Sequence, residues 1–490
     1  MKTLGIDIGS SSVKVAVFDA STGRCLASTQ MPSEEMAISS PQKGWAEQAP
    51  DMWWSYFVDA AKQLSATVTL SEIKAIGITY QMHGLVTIDG NGAVVRPSII
   101  WCDSRAVSLG NRAMESIGAE KCLEHHLNSP GNFTASKLAW IKENEPELFG
   151  RISKIMLPGD YIAYKLSGEA TSTAQGLSEG IFWDFKEEKV SETVLDQYGL
   201  SKELLARQVP CFGHQSALSR DAATLLGIKE GTPITYRSGD QPNNAFSLNV
   251  LNPGEIAATA GTSGVVYGVS SRIAYDPQSR VNTFMHVNHT SSDPRLGVLL
   301  CINGTGILNS WMRRNATKNL SYVQMNELAS QAPTGSDGLT ILPFGNGAER
   351  VLGNLELGAH MQNINFNLHS TAHMLRAAQE GIAFSMQYGV EVMKTVGVTP
   401  TIIRAGIANL FQSDLFTQTV ADITGATIEL YNTNGAIGAA RGAALGAGYY
   451  STPSEAFATL KVEKVVEPQS NPMLQEAYEN WNRCLSQLLK

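Results

Sequence analysis

Two strand-turn-strand units of one design, about 250 residues apart, constrain this 490-residue chain more than any other feature. The first runs from Leu4 to Asp19 around the small-residue turn Gly9, Ser10, Ser11 and Ser12. The second opens at Glu255, turns over Gly261, Thr262, Ser263 and Gly264, and returns through Val265 to Val269. Short apolar, β-branched runs bounded by Gly and Ser read as strands. A turn of small residues gathers backbone N–H groups and hydroxyls, which suits an anion. Two such hairpins predict an α/β chain of two similar lobes facing each other across a cleft, with both turns against one nucleotide. The length agrees, because 490 residues exceed what a single hydrophobic core organises.

Two acids stand beside these turns. Asp7 lies inside the first apolar strand, two residues before its turn. A carboxylate there is expensive to bury unless a cation meets it, and a hydrated Mg²⁺ is the natural one. Ser10, Ser11 and Ser12 could then hold phosphate oxygens beside the metal. The second acid, Asp240, follows the run Gly231 to Tyr236, which reads as a buried strand, and sits in Arg237-Ser238-Gly239-Asp240-Gln241-Pro242 near the middle of the chain. Alone, Gly239-Asp240-Gln241 also reads as an ordinary turn with an Asx bond. The paired hairpins are what favour chemistry.

Composition excludes several classes. A net charge of -8 with no basic block argues against nucleic acid as a partner. No apolar run reaches the roughly 18 to 20 residues of a membrane span. The six cysteines (Cys25, Cys102, Cys122, Cys211, Cys301, Cys484) are scattered with no CxxC pair, so neither a zinc site nor a disulfide framework is expected. The chain enters a strand directly after Met1-Lys2-Thr3 with no signal peptide, and a reduced, cytoplasmic protein is the expectation.

The order and spacing of the first hairpin, of Gly239-Asp240-Gln241, of Ala260-Gly261-Thr262-Ser263-Gly264 and of the glycine-rich segment near 435–448 resemble the FGGY carbohydrate kinases, over about residues 1–450. The resemblance implies two actin-like ATPase (ribonuclease H-like) lobes. It also implies Mg-ATP as cosubstrate and a small sugar as acceptor. Gly44-Trp45-Ala46-Glu47-Gln48, Tyr80-Gln81-Met82-His83-Gly84 and Trp101-Cys102-Asp103-Ser104-Arg105 look like the family's ketopentose-specific members. The implied activity is ATP-dependent phosphorylation of a ketose hydroxyl, the terminal hydroxyl of xylulose first, with ribulose, fuculose and erythritol as alternatives. A member that senses sugar without catalysis is a further alternative.

Roles follow by resemblance. Asp240 is the expected general base, ionised at neutral pH if its pKa is the ordinary carboxylate value. Asp7 is the expected metal ligand, holding Mg²⁺ through water. Gln81, Met82, His83, Asp103, Asp240 and Gln241 are expected at the sugar. Ser10, Ser11, Ser12, Gly261, Thr262 and Ser263 are expected at phosphates, and Gly306, Ser310, Gly406 and Asn409 at the nucleotide.

The chain departs from the family pattern in two places. Ala405 and Ile407 flank Gly406 where small residues usually form the adenine turn, and Glu349-Arg350 is followed by Val351-Leu352-Gly353-Asn354. Residues 106–236 show no pattern beyond core and surface. The run 371–396 is expected as a core helix between the lobes, and the small residues of 434–448 as a helix packed near the nucleotide. The expected division is an N-terminal lobe over 1–246, a C-terminal lobe over 247–450 and a peripheral tail over 451–490, whose helix at 473–490 is a surface on which a homodimer could form.

Overall fold

The computed structural model describes residues 1–490, which divide into two compact units. The first comprises residues 1–249, 284–295 and 433–460, and the second 250–283, 296–432 and 461–490.

The first unit is built on six strands: β1 (Lys2–Ile8), β2 (Val13–Asp19), β3 (Arg24–Met31), β4 (Ile73–Tyr80), β5 (Phe212–Ala217) and β6 (Pro233–Gly239). Their order is β5-β6-β4-β1-β2-β3. β1 runs antiparallel to β2 and parallel to β4, and β4 is parallel to β6. Side chains alternate across the sheet. Leu4, Ile6 and Ile8 therefore share one face with Trp53, Phe57 and Leu64 of the helix Pro50–Ser65, all at most 2% exposed. On the opposite face lies the helix Gly435–Gly446.

That second helix packs with the first unit. A Cβ on Gly5 would come 1.9 Å from the Ala436 carbonyl, and one on Gly446 would come 1.9 Å from that of Thr235. Thr3 Oγ1 and Thr235 Oγ1 donate to the carbonyls of Ala440 and Ala443 at 2.7 and 2.8 Å. Small residues on both surfaces let the helix backbone lie directly on β1, β4 and β6. The segment 433–460 thus belongs to the first unit, although it follows the second in sequence.

The second sheet has seven strands: β7 (Glu255–Ala260), β8 (Gly264–Ser270), β9 (Asn282–Met285, whose last two residues count with the first unit), β10 (Leu296–Ile302), β11 (Ile402–Gly406), β12 (Thr427–Tyr431) and β13 (Val462–Val466). The order is β9-β10-β8-β7-β11-β12-β13, with β7, β11 and β12 parallel and the hairpin β7/β8 antiparallel. The helix Thr371–Thr395 lies in the core of this unit, with Ile382, Ala383 and Met393 fully buried.

The tail is less peripheral than its sequence suggests. β13 extends the sheet antiparallel to β12, and the helix Pro472–Leu488 buries Leu474, Tyr478, Trp481 and Leu485. Trp481 donates its indole N–H to the Ile341 carbonyl at 3.0 Å. The apolar stripe at spacing of three and four residues covers the unit's own core. No helix is long and apolar enough to cross a membrane.

Candidate active site

β1 and β2 pair in register from Lys2–Asp19 to Ile8–Val13, which leaves Gly9 to Ser12 as a closed turn with Gly9 N–H donating to Ser12 O at 3.0 Å. The turn is held from below. Gln48 Nε2 donates to Ser10 O at 2.7 Å, while Gln48 Oε1 accepts from Trp53 Nε1 at 3.0 Å and from Gln81 Nε2 at 3.2 Å. Gln81 N–H in turn donates to Ile8 O at 2.7 Å. The Gly9–Ser12 turn and Gln81 are therefore parts of one hydrogen-bonded layer.

Asp7 and Asp240 are brought together in this unit. Asp240 opens the helix Asp240–Ser247 directly after β6, where the helix N-terminus favours negative charge. Burial pushes its pKa up to about 7, and the nearby Asp7 carboxylate adds to the rise. Burial also lifts Asp7, to about 6, against the pull of Lys14. The expectation of an ordinary carboxylate at 240 is thereby corrected. Two acids enclosed side by side disfavour each other's charge, and a cation would offset that repulsion. The residues thus fit Mg²⁺ held by carboxylate and its own waters, and no cluster of three or more ligating side chains gathers to chelate it directly. The approach to Asp7 is tight: a Cβ on Gly435 would come 2.4 Å from Asp7 Oδ2.

Gln241, next to the acid, has a buried Oε1 without a hydrogen-bond partner, and so has Gln81. Buried amide oxygens are normally satisfied, so these two orphaned acceptors suit hydroxyl donors of a polyol. His83 has the left-handed φ of 61°, and its ring packs against Phe133 and Phe284 with centroids 4.9 and 5.2 Å away. Met82 is 4% exposed. Its side chain fills the space beside Gly239, where a Cβ would lie 2.6 Å from Met82 Cγ.

Asp103 does not join them. It is completely buried, and its oxygens accept from Arg105 N, Nε and Nη2 at 2.7 to 3.0 Å and from Ala46 N at 2.6 Å. Arg105 also meets Glu47 at 2.7 Å and lies over the Trp45 ring at 3.8 Å. The expected sugar ligand is instead the centre of an internal ion pair that ties residues 45–47 to 103–105, because both carboxylate oxygens are already satisfied. Trp101, in the same loop, is 47% exposed and donates its indole N–H to Ser10 Oγ at 3.3 Å.

In the second unit, the turn after β7 meets the start of the helix Gly306–Ala316. Gly306 N–H donates to Gly261 O at 2.8 Å and Ile307 N–H to Thr262 O at 3.1 Å. A Cβ on Gly306 would come 2.2 Å from Gly261 O, and one on Gly261 would come 3.4 Å from Asn409 Nδ2. Gly261, Thr262, Gly306 and Asn409 thus converge. Ser310 lies one turn along that helix and accepts from Arg314 Nη1 at 2.6 Å. Gly406 ends β11 three residues before Asn409, and Ile407 between them is 41% exposed. The Gly306 and Ile307 N–H groups are thus spent on the turn carbonyls, and the missing side chain of Gly306 is what lets the helix start meet the turn.

Sequence reasoning passed over three buried ionisable residues near these sites. Glu179 and Lys137, 2% and 0% exposed, both hydrogen-bond to His83. Glu349, fully buried, accepts from Asn303 N–H at 2.9 and 3.1 Å and straps the unusual 345–354 segment to the turn before Gly306; burial pushes its pKa up to about 7. The one signal of the third was its place in a departure from pattern. Nothing in sequence marked the other two.

Two α/β units, each with a hairpin turn, the first with paired acids and the second with a neutral glycine-rich cluster, define a two-domain sugar-kinase fold. The chain belongs to the FGGY family of carbohydrate kinases, whose N-terminal domain profile matches residues 2–247 and whose C-terminal domain profile matches residues 256–450. It is 28% identical to the xylulose kinase of Escherichia coli (strain K12) over 499 aligned positions, 99% of each chain. The crystal structure of xylulose kinase from Rhodospirillum rubrum superposes with a TM-score of 0.89 at 24% identity, covering 100% of this chain and 99% of that one. Gluconate kinase from Lactobacillus acidophilus superposes as well, with a TM-score of 0.90 at 21% identity over 100% and 98% of the two chains. The fold is common to both substrates and does not choose between them.

Proposed function

We propose that this carbohydrate kinase transfers the γ-phosphoryl group of ATP to a hydroxyl of a ketopentose, D-xylulose in the first place, giving D-xylulose 5-phosphate. The observation that carries the reading is Asp240: a carboxylate at a helix start, with a pKa raised to about 7, beside the orphaned amide oxygens of Gln81 and Gln241. A base poised near the working pH accepts a hydroxyl proton most effectively. The full-length similarity to xylulose kinases supports the choice of sugar.

Phosphoryl transfer depends on positioning and on stabilising charge. Gln81, His83 and Gln241 orient the sugar, and Asp240 takes the proton of the attacking hydroxyl. Ser10, Ser11 and Ser12 hold phosphate oxygens on the first unit. Gly261, Thr262, Ser263, Gly306, Ser310, Gly406 and Asn409 hold the nucleotide on the second. Mg²⁺, when bound near Asp7, supplies neutralisation of phosphate charge. The six cysteines are all unpaired, Cys25 and Cys102 at the surface, which supports a reducing, cytoplasmic setting.

ADP release coupled to an indicator, measured with Mg-ATP against D-xylulose, L-xylulose, D-ribulose, L-ribulose, L-fuculose, glycerol, erythritol and no sugar, tests the reading. A preference for D-xylulose is expected. Equal rates with and without every sugar would remove the substrate class.

A further inference from the structure

We propose that Glu179 and Lys137 are positioning residues for His83, holding the sugar loop in the one conformation that presents its imidazole as a hydrogen-bond acceptor. The inference deepens the kinase reading and rests on it for the identity of the ligand.

The starting point is strain. A left-handed φ is costly for any residue with a Cβ and persists only where the surroundings over-determine it. At His83, with φ of 61°, three groups do so. The backbone N–H donates to Glu179 Oε1 at 3.3 Å. The backbone carbonyl accepts from Lys137 Nζ at 2.9 Å. The ring Nδ1 lies 3.0 Å from the Glu179 carbonyl oxygen. Each handle on the residue is thus held by one of two side chains or by the backbone that carries one of them.

The third bond fixes more than orientation. A carbonyl oxygen only accepts, so Nδ1 carries the proton and Nε2 is the acceptor in neutral imidazole. The ring presents a lone pair to a hydroxyl donor, with its faces set by Phe133 and Phe284. Lys137 extends the same control to the next loop, because its Nζ also donates to Ile100 O at 2.9 Å, one residue before Trp101. One side chain therefore registers both loops.

Space beneath the loop is full. A Cβ on Gly239 would lie 2.6 Å from Glu179 Oε2, so the carboxyl sits hard against the strand end that leads to Asp240. Burial raises the Glu179 pKa well above the usual carboxylate range. Burying an acid and an amine is costly, and apolar residues of like volume would pack such a core at least as well. Geometric control of His83 explains why ionisable residues stand here.

Four variants test this: Glu179→Ala, Glu179→Gln, Lys137→Met and His83→Ala. Glu179→Ala is expected to raise the sugar KM by about 10- to 100-fold, as expected for losing a buried, well-aligned hydrogen bond, with the ATP KM within about threefold of wild type. Glu179→Gln, whose amide oxygen still accepts from His83 N–H, stays within about threefold in both. In a His83→Ala background, Glu179→Ala adds no further loss of sugar affinity, since the two act as one unit. A purely structural role predicts equal losses for both substrates, additivity with His83→Ala and no rescue by Gln, and that pattern overturns the proposal.

Crystal structures of wild type, Glu179→Gln and Lys137→Met keep the question open to an answer if the alanine variant does not fold. Retention of the left-handed His83 in Glu179→Gln and its loss in Lys137→Met support the clamp, and an unchanged His83 in Lys137→Met contradicts it. These structures decide the matter without sugar. If wild type binds no sugar in calorimetry, the kinase reading fails separately, while His83 geometry still judges the clamp.

Discussion

The two hairpins share a backbone design and differ at one telling position. Two residues before its turn the first has Asp7, and two residues before its turn the second has Thr259. Around the first turn the fold gathers carboxylates, with Asp240 brought beside Asp7 and both titrating far above the ordinary value. Around the second it gathers neutral residues, with Gly306 and Asn409 against Gly261. On the proposed function the same turn geometry serves two chemistries: an acid at the strand end suits a metal and a base, while a hydroxyl there does not repel phosphate.

This contrast can be broken from either side. The largest effect is expected from Asp240→Asn, which keeps the side chain's shape and removes its proton acceptor. Turnover should fall by about 10² to 10⁴ with sugar and ATP affinity nearly unchanged, as single-turnover and binding measurements would show. Next comes Gly306→Ala in the neutral cradle. The new Cβ would collide with Gly261 O at 2.2 Å, and backbone cannot yield cheaply. We expect the ATP KM to rise about 10- to 100-fold and the sugar KM to hold, in steady-state kinetics varying each substrate. Smaller again is Thr259→Asp, which gives the second hairpin the first one's acid; like-charge repulsion should weaken ATP about tenfold in calorimetry.

The smallest effect is on stability. Asp240 binds its proton more tightly folded than unfolded, since its pKa rises from 3.8 to about 7. In metal-free protein its contribution is therefore fully present below about pH 4 and is lost as pH rises through about 7. Because the group keeps some solvent contact, we expect no more than about 3 kcal/mol. Asp240→Asn should melt above wild type at pH 8 and level with it at pH 4, by calorimetry without divalent metal. In turnover the sign is opposite: kcat/KM should rise with pH to a plateau above about 7, and saturating Mg²⁺ should move that limb downward, because positive charge favours the ionised acid.

Both hairpins, Asp7 and Asp240 were legible because their signals are local: alternation, small-residue turns and an acid at a strand end. What sequence hid were relations between distant segments. Asp240 looks ordinary until burial and Asp7, more than 230 residues earlier, act on it. Asp103 looked like a ligand because nothing in the motif says that Arg105 and Ala46 N–H already occupy it. Lys137 sits among small and apolar neighbours on a helix whose residues 134–139 are all buried, so its own burial had no periodic signature. Residues 433–460 follow the second unit in sequence, yet glycines at 5, 77, 442 and 446 lay them on the first unit's sheet.

The account stands most directly on sugar-stimulated ADP release measured in parallel for wild type and Asp240→Asn at pH 8 with Mg-ATP and D-xylulose. It predicts clear stimulation in wild type and a loss of at least about 10² in the variant, with both proteins still binding sugar and nucleotide. Stimulated release from the variant within tenfold of wild type would contradict Asp240 as the base, and with it the division of chemistry between the two hairpins.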